Sequence, residues 1–278
     1  MNEKIKKKQI AGMNLMYKWY SLEYFFDAME ELGFESVSIW GGPPHFDCDY
    51  MGYQECKKVR QQVERRGLSV EGFLVTGSNY RYQMAEQDKS QREHVFQYFR
   101  NGILACEEMG SPYMSVNSGW GYWDCDREDA FCRSSDMLLR LCEEGEKHHV
   151  SIAMESLKAC ESNLVVTLED TRRMFDKVNH PWFQIMADTG AIVYNGERLE
   201  DWFQCFGDKI GAIHFVDGMH LAWGDGKSPL DDMVFSIMKH RYQGCLALET
   251  SGGRYLANPK EADRKAITIL SRFTDSWI

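Results

Sequence analysis

The sequence predicts a closed parallel barrel of eight βα units, a (β/α)8 fold of the TIM-barrel type. Short apolar runs rich in β-branched residues alternate with longer segments of helical period, and eight such pairs follow one another. Eight equal units in 278 residues suit a closed barrel better than an open doubly wound sheet, and no GxGxxG follows the first strand. Because no linker rich in Pro, Gly or Ser interrupts the chain, we expect residues 1–278 to form a single domain.

The eight strands are predicted from apolar runs that end at polar or turn-forming residues. They are IAGMN from Ile10, SVSIW from Ser36, LSVEGFLV from Leu68, PYMSVN from Pro112, VSIAMES from Val150, FQIMADT from Phe183, AIHFVD from Ala212 and CLALET from Cys245. In a parallel barrel the carboxyl ends of all strands meet at one mouth, which is where this fold builds its active sites.

The helices between the strands show amphipathic spacing and terminal signals. In SLEYFFDAMEELG, Ser21 is the expected N-cap and Gly33 the stop. In SPLDDMVFSIMKH, Ser228 is the expected N-cap and Pro229 the first helical residue. The last helix is expected to open at Pro259. Each helix therefore has one apolar face that must cover the barrel.

Composition excludes several classes of partner. The net charge of -10 argues against nucleic acid, and the one basic run, Lys4 to Lys8, is expected to be solvated. Nine cysteines without a CxxC pair are typical of a reduced compartment. The N-terminus lacks a signal-peptide core, and no uncharged apolar run is long enough to span a membrane. We therefore expect a cytoplasmic protein without a membrane partner.

Four consecutive strands, the fifth to the eighth, end in residues that can bind a metal ion. These residues are Glu155 in SIAMES, Asp188 in QIMADTG, His214 in AIHFVD and Glu249 in LALET. Taken singly, a glutamate at a strand end often caps a helix, and a histidine in an apolar run is often a satisfied core residue. Four of them on neighbouring strands of one barrel mouth predict a shared site, since a buried carboxylate needs a partner.

Three carboxylates and one imidazole form a hard donor set. It favours Mn²⁺, with Mg²⁺, Co²⁺ or Zn²⁺ as alternatives, and it leaves coordination positions for a substrate. A chelated hydroxy-ketone has a more acidic C–H beside its carbonyl, because the ion takes up enediolate charge. A small hydroxy-ketone is therefore an expected substrate.

Other polar and aromatic residues are predicted near the same mouth. Glu161 and His220 each follow a predicted ligand by six residues, and either one reaches a substrate hydroxyl or is solvated. His45 follows the second strand in IWGGPPH, and Trp120 in NSGWGYW forms an apolar wall for a sugar or packs in the core. Asp217 either orients the metal ligands through hydrogen bonds without binding the ion itself or is a plain turn residue.

The segments GFESVSIWGGPPH, MESLKACESN, GDKIGAIHFVD, WGDGKSPLDDM and YQGCLALET, in this order, resemble the xylose isomerase-like barrels. Within these the chain is similar to the ketose 3-epimerases and closest to the fructoselysine 3-epimerase branch. The resemblance implies that the four residues above bind the metal. It also implies that Glu155 and Glu249 are the acid/base pair that inverts C3 through a cis-enediolate. Glu161 and His220 match family residues that bind the sugar. The resemblance therefore implies a small sugar or sugar amine as the substrate, and a homo-oligomer is expected.

One departure and several alternatives accompany this resemblance. Many ketose 3-epimerases have a histidine where this chain has Ala191. The same metal set also supports an aldose-ketose isomerase or an inosose-type dehydratase. An endonuclease IV type of enzyme needs further histidines, which FLVTGSN and SVNSGWG lack. A sugar-sensing barrel without activity should have lost a ligand, and all four are present.

Overall fold

Eight parallel strands close into a barrel in the computed structural model. It describes residues 4–50, 53–75, 82–275 and 277, with the backbone alone for 53 and 54. The strands are β1 Ile10–Met13, β2 Ser36–Gly41, β3 Ser69–Val75, β4 Tyr113–Asn117, β5 Ser151–Glu155, β6 Phe183–Asp188, β7 Ile210–His214 and β8 Cys245–Leu248. Each pairs with the next, and β1 closes the ring against β8. The predicted (β/α)8 barrel is confirmed.

Helices lie between successive strands and cover the barrel. They are α1 Leu22–Glu31, α2 Tyr53–Glu64, α3 Lys89–Met109, α4 Arg127–Lys147, α5 Leu168–Val178, α6 Thr189–Tyr194, α7 Leu199–Phe206, α8 Leu230–Lys239 and α9 Pro259–Leu270. In the part of the chain that the structure describes, no helix is long and apolar enough to cross a membrane.

The apolar core has two layers, because successive side chains of a strand point to opposite faces. Ile213 belongs to the large layer between sheet and helices, whereas its neighbour Ala212 points into the barrel. Small residues, such as Ala153 and Ala247, contribute to the interior. The inward alternation that begins at Ala212 carries His214 into the barrel mouth.

The sequence-predicted boundaries at Ser21 and Pro259 are confirmed, whereas the predicted end of β7 and the predicted start of α8 are wrong. Ser21 caps α1 as predicted, accepting a hydrogen bond from the backbone N–H of Tyr24 at 3.1 Å. Strand β7 ends at His214 and not at Asp217, because the following residues turn into the loop before α8. Helix α8 begins at Leu230, so Ser228 is not its N-cap. The Ser228 side chain instead accepts a hydrogen bond from the backbone of Gly218 at 2.7 Å.

The segment 76–81 comes directly after β3 in the sequence. The sequence FLVTGSN, in which we expected no histidine ligand, extends into it. That part of FLVTGSN lies outside the described residues.

Candidate metal centre and substrate cavity

Four side chains from consecutive strands meet at the carboxyl end of the barrel. Glu155, Asp188 and His214 are the last residues of β5, β6 and β7, and Glu249 directly follows β8. Asp188 and His214 are partners in the β6–β7 register. One ligand atom from each of the four lies within 4.8 Å of the others, and all four residues are buried. This is the set that the strand ends predicted.

The contacts within the cluster fit a cation. His214 Nδ1 lies 2.5 Å from Glu155 Oε1 and 3.0 Å from Glu249 Oε2. Glu249 Oε2 and His214 Nε2 are both buried, and neither makes a hydrogen bond of acceptable geometry among the described residues, although imidazole nitrogens lie close to the Glu249 oxygen. A buried acceptor without a donor is costly, whereas an ion coordinated by carboxylates and an imidazole would satisfy it. The geometry and the donor types therefore fit a divalent metal ion.

Burial and the closeness of like charges also shift the pKa values of the cluster residues. Burial raises the pKa of Glu155 to about 7, although His214 opposes the rise. Burial would lower the pKa of His214, but the carboxylates of Glu249 and Glu155 raise it well above its ordinary value. Protons held on Glu155 and on the His214 imidazole thus balance part of the negative charge of the cluster. A divalent cation can replace those protons, because metal ligands must be deprotonated.

His220 lies in contact with this cluster. It ends the 3-10 segment Gly218–His220 and has a positive φ of 54°. Its Nε2 is 3.1 Å from Asp188 Oδ2, and its Nδ1 is 3.3 Å from Glu249 Oε2. Burial raises the pKa of Asp188, but the imidazole of His220 outweighs it and lowers the pKa overall. His220 therefore lies between two of the candidate ligands and contacts both of them, in addition to lining the cavity.

A cavity of about 690 Å³ opens beside the cluster. Its volume suits a monosaccharide or a somewhat larger sugar derivative. Trp120, Glu161 and His220, three of the predicted substrate-binding residues, contribute to its wall. Trp120 stands edge-on to Tyr122, with 5.2 Å between ring centroids. The structure thus brings aromatic and polar residues together around the cavity that opens beside the carboxylate–histidine cluster.

His45 has other partners. Its Nδ1 lies 2.9 Å from Asn14 Nδ2, and its Nε2 lies 2.8 Å from the backbone oxygen of Tyr20. It is not among the described residues that line the cavity. The contacts show His45 connecting the segments that follow β1 and β2. Trp40, near the end of β2, does line the cavity.

Asp217 organises the loop that carries His220. Its carboxylate is buried and accepts hydrogen bonds from four backbone N–H groups at 2.8–3.2 Å. The four donors are Gly218, Gly224, Gly226 and Ser228. Four donors from one loop indicate a structural role for this residue, since a carboxylate without them would not remain buried.

Lys158 is a cavity residue that the sequence did not single out. It lines the cavity and forms an ion pair with Glu161. The two residues stand three apart in SLKACESN, and a lysine so close to a predicted site glutamate is the one available signal. Spacing alone does not indicate that this lysine is buried.

A model of the xylose isomerase-like TIM barrel family matches residues 26–273 of the chain. Fructoselysine 3-epimerase from Shigella flexneri is 25% identical over 251 residues, which cover 88% of this chain and 91% of that protein. The 3-keto-D-glucoside 4-epimerase YcjR from E. coli has the same fold, with a TM-score of 0.81, 18% identity and coverage of 95% and 99%. D-psicose 3-epimerase from Clostridium cellulolyticum superposes with a TM-score of 0.80, 13% identity and the same coverage. These relatives are sugar epimerases, which are isomerases, and the chain itself belongs to the xylose isomerase-like TIM barrel family.

Proposed function

We propose that this protein is a divalent-metal-dependent sugar epimerase that inverts C3 of a ketose or of a fructosamine-type sugar. The observation that carries the proposal is the pair Glu155 and Glu249, which approach His214 Nδ1 from two strands and line the same cavity. Two carboxylates at one substrate carbon are what an inversion needs, because one removes a proton and the other returns one. The relatives named above support the same reaction class.

Each side chain has a separate part in the proposed reaction. Glu155, Asp188, His214 and Glu249 would hold the metal ion, which would polarise the ketose carbonyl and stabilise enediolate charge. One glutamate takes the proton from C3 and the other delivers a proton to the opposite face of the cis-enediolate. Glu161 and His220 would bind sugar hydroxyls, and Trp120 would pack against the apolar face of the sugar.

The test is turnover of a ketose panel in D₂O with Mn²⁺, followed by NMR. We expect deuterium at C3 of both epimers, and Glu249→Gln should abolish the exchange while the fold is retained. The matched control Glu30→Gln, at an exposed position of α1, should exchange at the wild-type rate. Deuterium at C1 alone would replace this proposal with an aldose-ketose isomerase, and an ultraviolet-absorbing product would replace it with an inosose-type dehydratase.

Binding without any exchange is the outcome expected of a sugar-sensing barrel. In that case Glu249→Gln would leave sugar affinity unchanged. Mn²⁺ as the resident ion, a cytoplasmic location and a homo-oligomeric state stay predictions. Metal analysis of the purified protein, cell fractionation and sedimentation will measure them.

A further inference from the structure

Lys158 is a buried cation in the wall of the substrate cavity. Its side chain is only 8% exposed, and it stands three residues after Glu155 in the loop that follows β5. Its Nζ lies 2.9 Å from Glu161 Oε1, and its backbone N–H donates to Glu161 Oε2 at 3.3 Å. The chain therefore neutralises the carboxylate of Glu161 with a lysine of its own.

Every carboxylate among the described lining residues of the cavity has a partner. Glu155, Asp188 and Glu249 belong to the metal cluster, and Glu161 is paired with Lys158. A substrate ammonium that entered this cavity would find no free anion. Burying such a charge without a partner is strongly unfavourable, so the wall disfavours amines.

The ammonium group of Lys158 also has hydrogen-bond donors that need acceptors. It has three N–H donors, and Glu161 is its one ion-pair partner in the described part of the chain. Burial would lower the pKa of Lys158, but Glu161, with Asp188 and Glu249 further off, raises it overall, so the group stays charged. The N–H groups of Lys158 that do not bind Glu161 can donate hydrogen bonds to hydroxyl or anionic oxygens of a ligand.

We propose that Lys158 makes this cavity select ketoses over ketosamines. The selection narrows the substrate class of the epimerase proposed above and rests on that function. It also separates this chain from the substrate in the name of its relative, fructoselysine 3-epimerase. Lys158 acts as a specificity residue, because it repels an ammonium and pairs with Glu161, the one carboxylate outside the metal cluster among the described residues that line the cavity.

The test compares two sugars that differ in one group, D-fructose and 1-amino-1-deoxy-D-fructose. Affinity is measured by titration calorimetry on the Mn²⁺-loaded protein, so the readout does not depend on turnover. Wild type should bind D-fructose about tenfold more tightly, the size of effect that one nearby like charge produces at moderate dielectric. Lys158→Met should abolish or reverse this preference because it frees Glu161, whereas Lys158→Arg should keep it.

Lys209→Met, at an exposed position of the outer surface, is the control for net charge and should leave the ratio unchanged. Circular dichroism and metal content confirm that each variant is folded and loaded. The proposal is overturned if wild type binds the amine equally well or better, or if Lys158→Met retains the tenfold ratio. Failure of C3 exchange with the ratio intact would count against the epimerase alone. If neither sugar binds, both proposals fall.

Discussion

Asp263 should make the stability of the barrel fall as the pH rises through neutrality. This carboxyl on α9 is 5% exposed, and the hydroxyl of Tyr17 donates to its Oδ2 at 2.5 Å. Burial raises its pKa from the ordinary 3.8 to about 7, and the hydrogen bond from Tyr17 only partly offsets this. The protonated form is therefore the one that the fold prefers.

The magnitude follows from the shift. A rise of about 3 pKa units corresponds to about 4 kcal/mol of unfolding free energy. Because the folded pKa lies above the unfolded one, this contribution is complete below about pH 4 and is lost as the pH approaches 7. Between pH 5 and pH 8 the wild type should lose about 2 to 3 kcal/mol from this residue. Asp263→Asn stays neutral throughout and should lose none of it.

The assay is urea unfolding of metal-free wild type and Asp263→Asn at pH 5, 6, 7 and 8, followed by tryptophan fluorescence. Other groups titrate alike in both proteins, so the difference between the two curves reports Asp263. Tyr17→Phe removes the hydrogen bond that lowers this pKa, and it should move the loss to higher pH. A difference that stays constant within about 0.5 kcal/mol from pH 5 to 8 would refute the reasoning.

Three further outcomes are expected. Asp217→Ala should lower the unfolding free energy by roughly 2 to 4 kcal/mol in urea titrations, because four backbone donors lose their acceptor. Gly226→Ala should lower the melting temperature, since a Cβ there would lie 2.5 Å from Asp217 Oδ1, whereas Gly253→Ala points into open space and should melt like wild type. Mn²⁺ at about 100 times its Kd should stabilise wild type by about 2.7 kcal/mol, and His214→Asn should remove this shift in calorimetry. An equal shift in both proteins would place the ion elsewhere.

The barrel could be predicted because its signals are local. The strands are apolar runs with polar ends, and several helices carry an apolar stripe and a cap that the sequence shows, as Ser21 does for α1. Glu155, Asp188, His214 and Glu249 were found by one rule, the polar residue at the end of a buried strand. Parallel closure then brings those ends together without any further information.

The residue at which a helix begins was harder to predict from the sequence, as α8 shows. Ser228 and Pro229 carry the usual signature of a helix start, yet the Ser228 backbone bonds to Asp217 and its hydroxyl to the loop backbone at Gly218. A capping residue has alternatives whenever another part of the chain offers a partner, and local spacing does not reveal which one wins.

The sequence by itself determined the fold class and the four residues whose carboxylates and imidazole meet at the barrel mouth, because periodicity and strand-end polarity are properties of neighbouring residues. Tertiary structure alone decided which polar groups meet across loops. It placed His220 against Asp188, tied His45 to Asn14, and buried Lys158 in the wall of the cavity. Such pairings depend on how separate loops fold back over the barrel mouth, and the free energy of each depends on burial that no local pattern records.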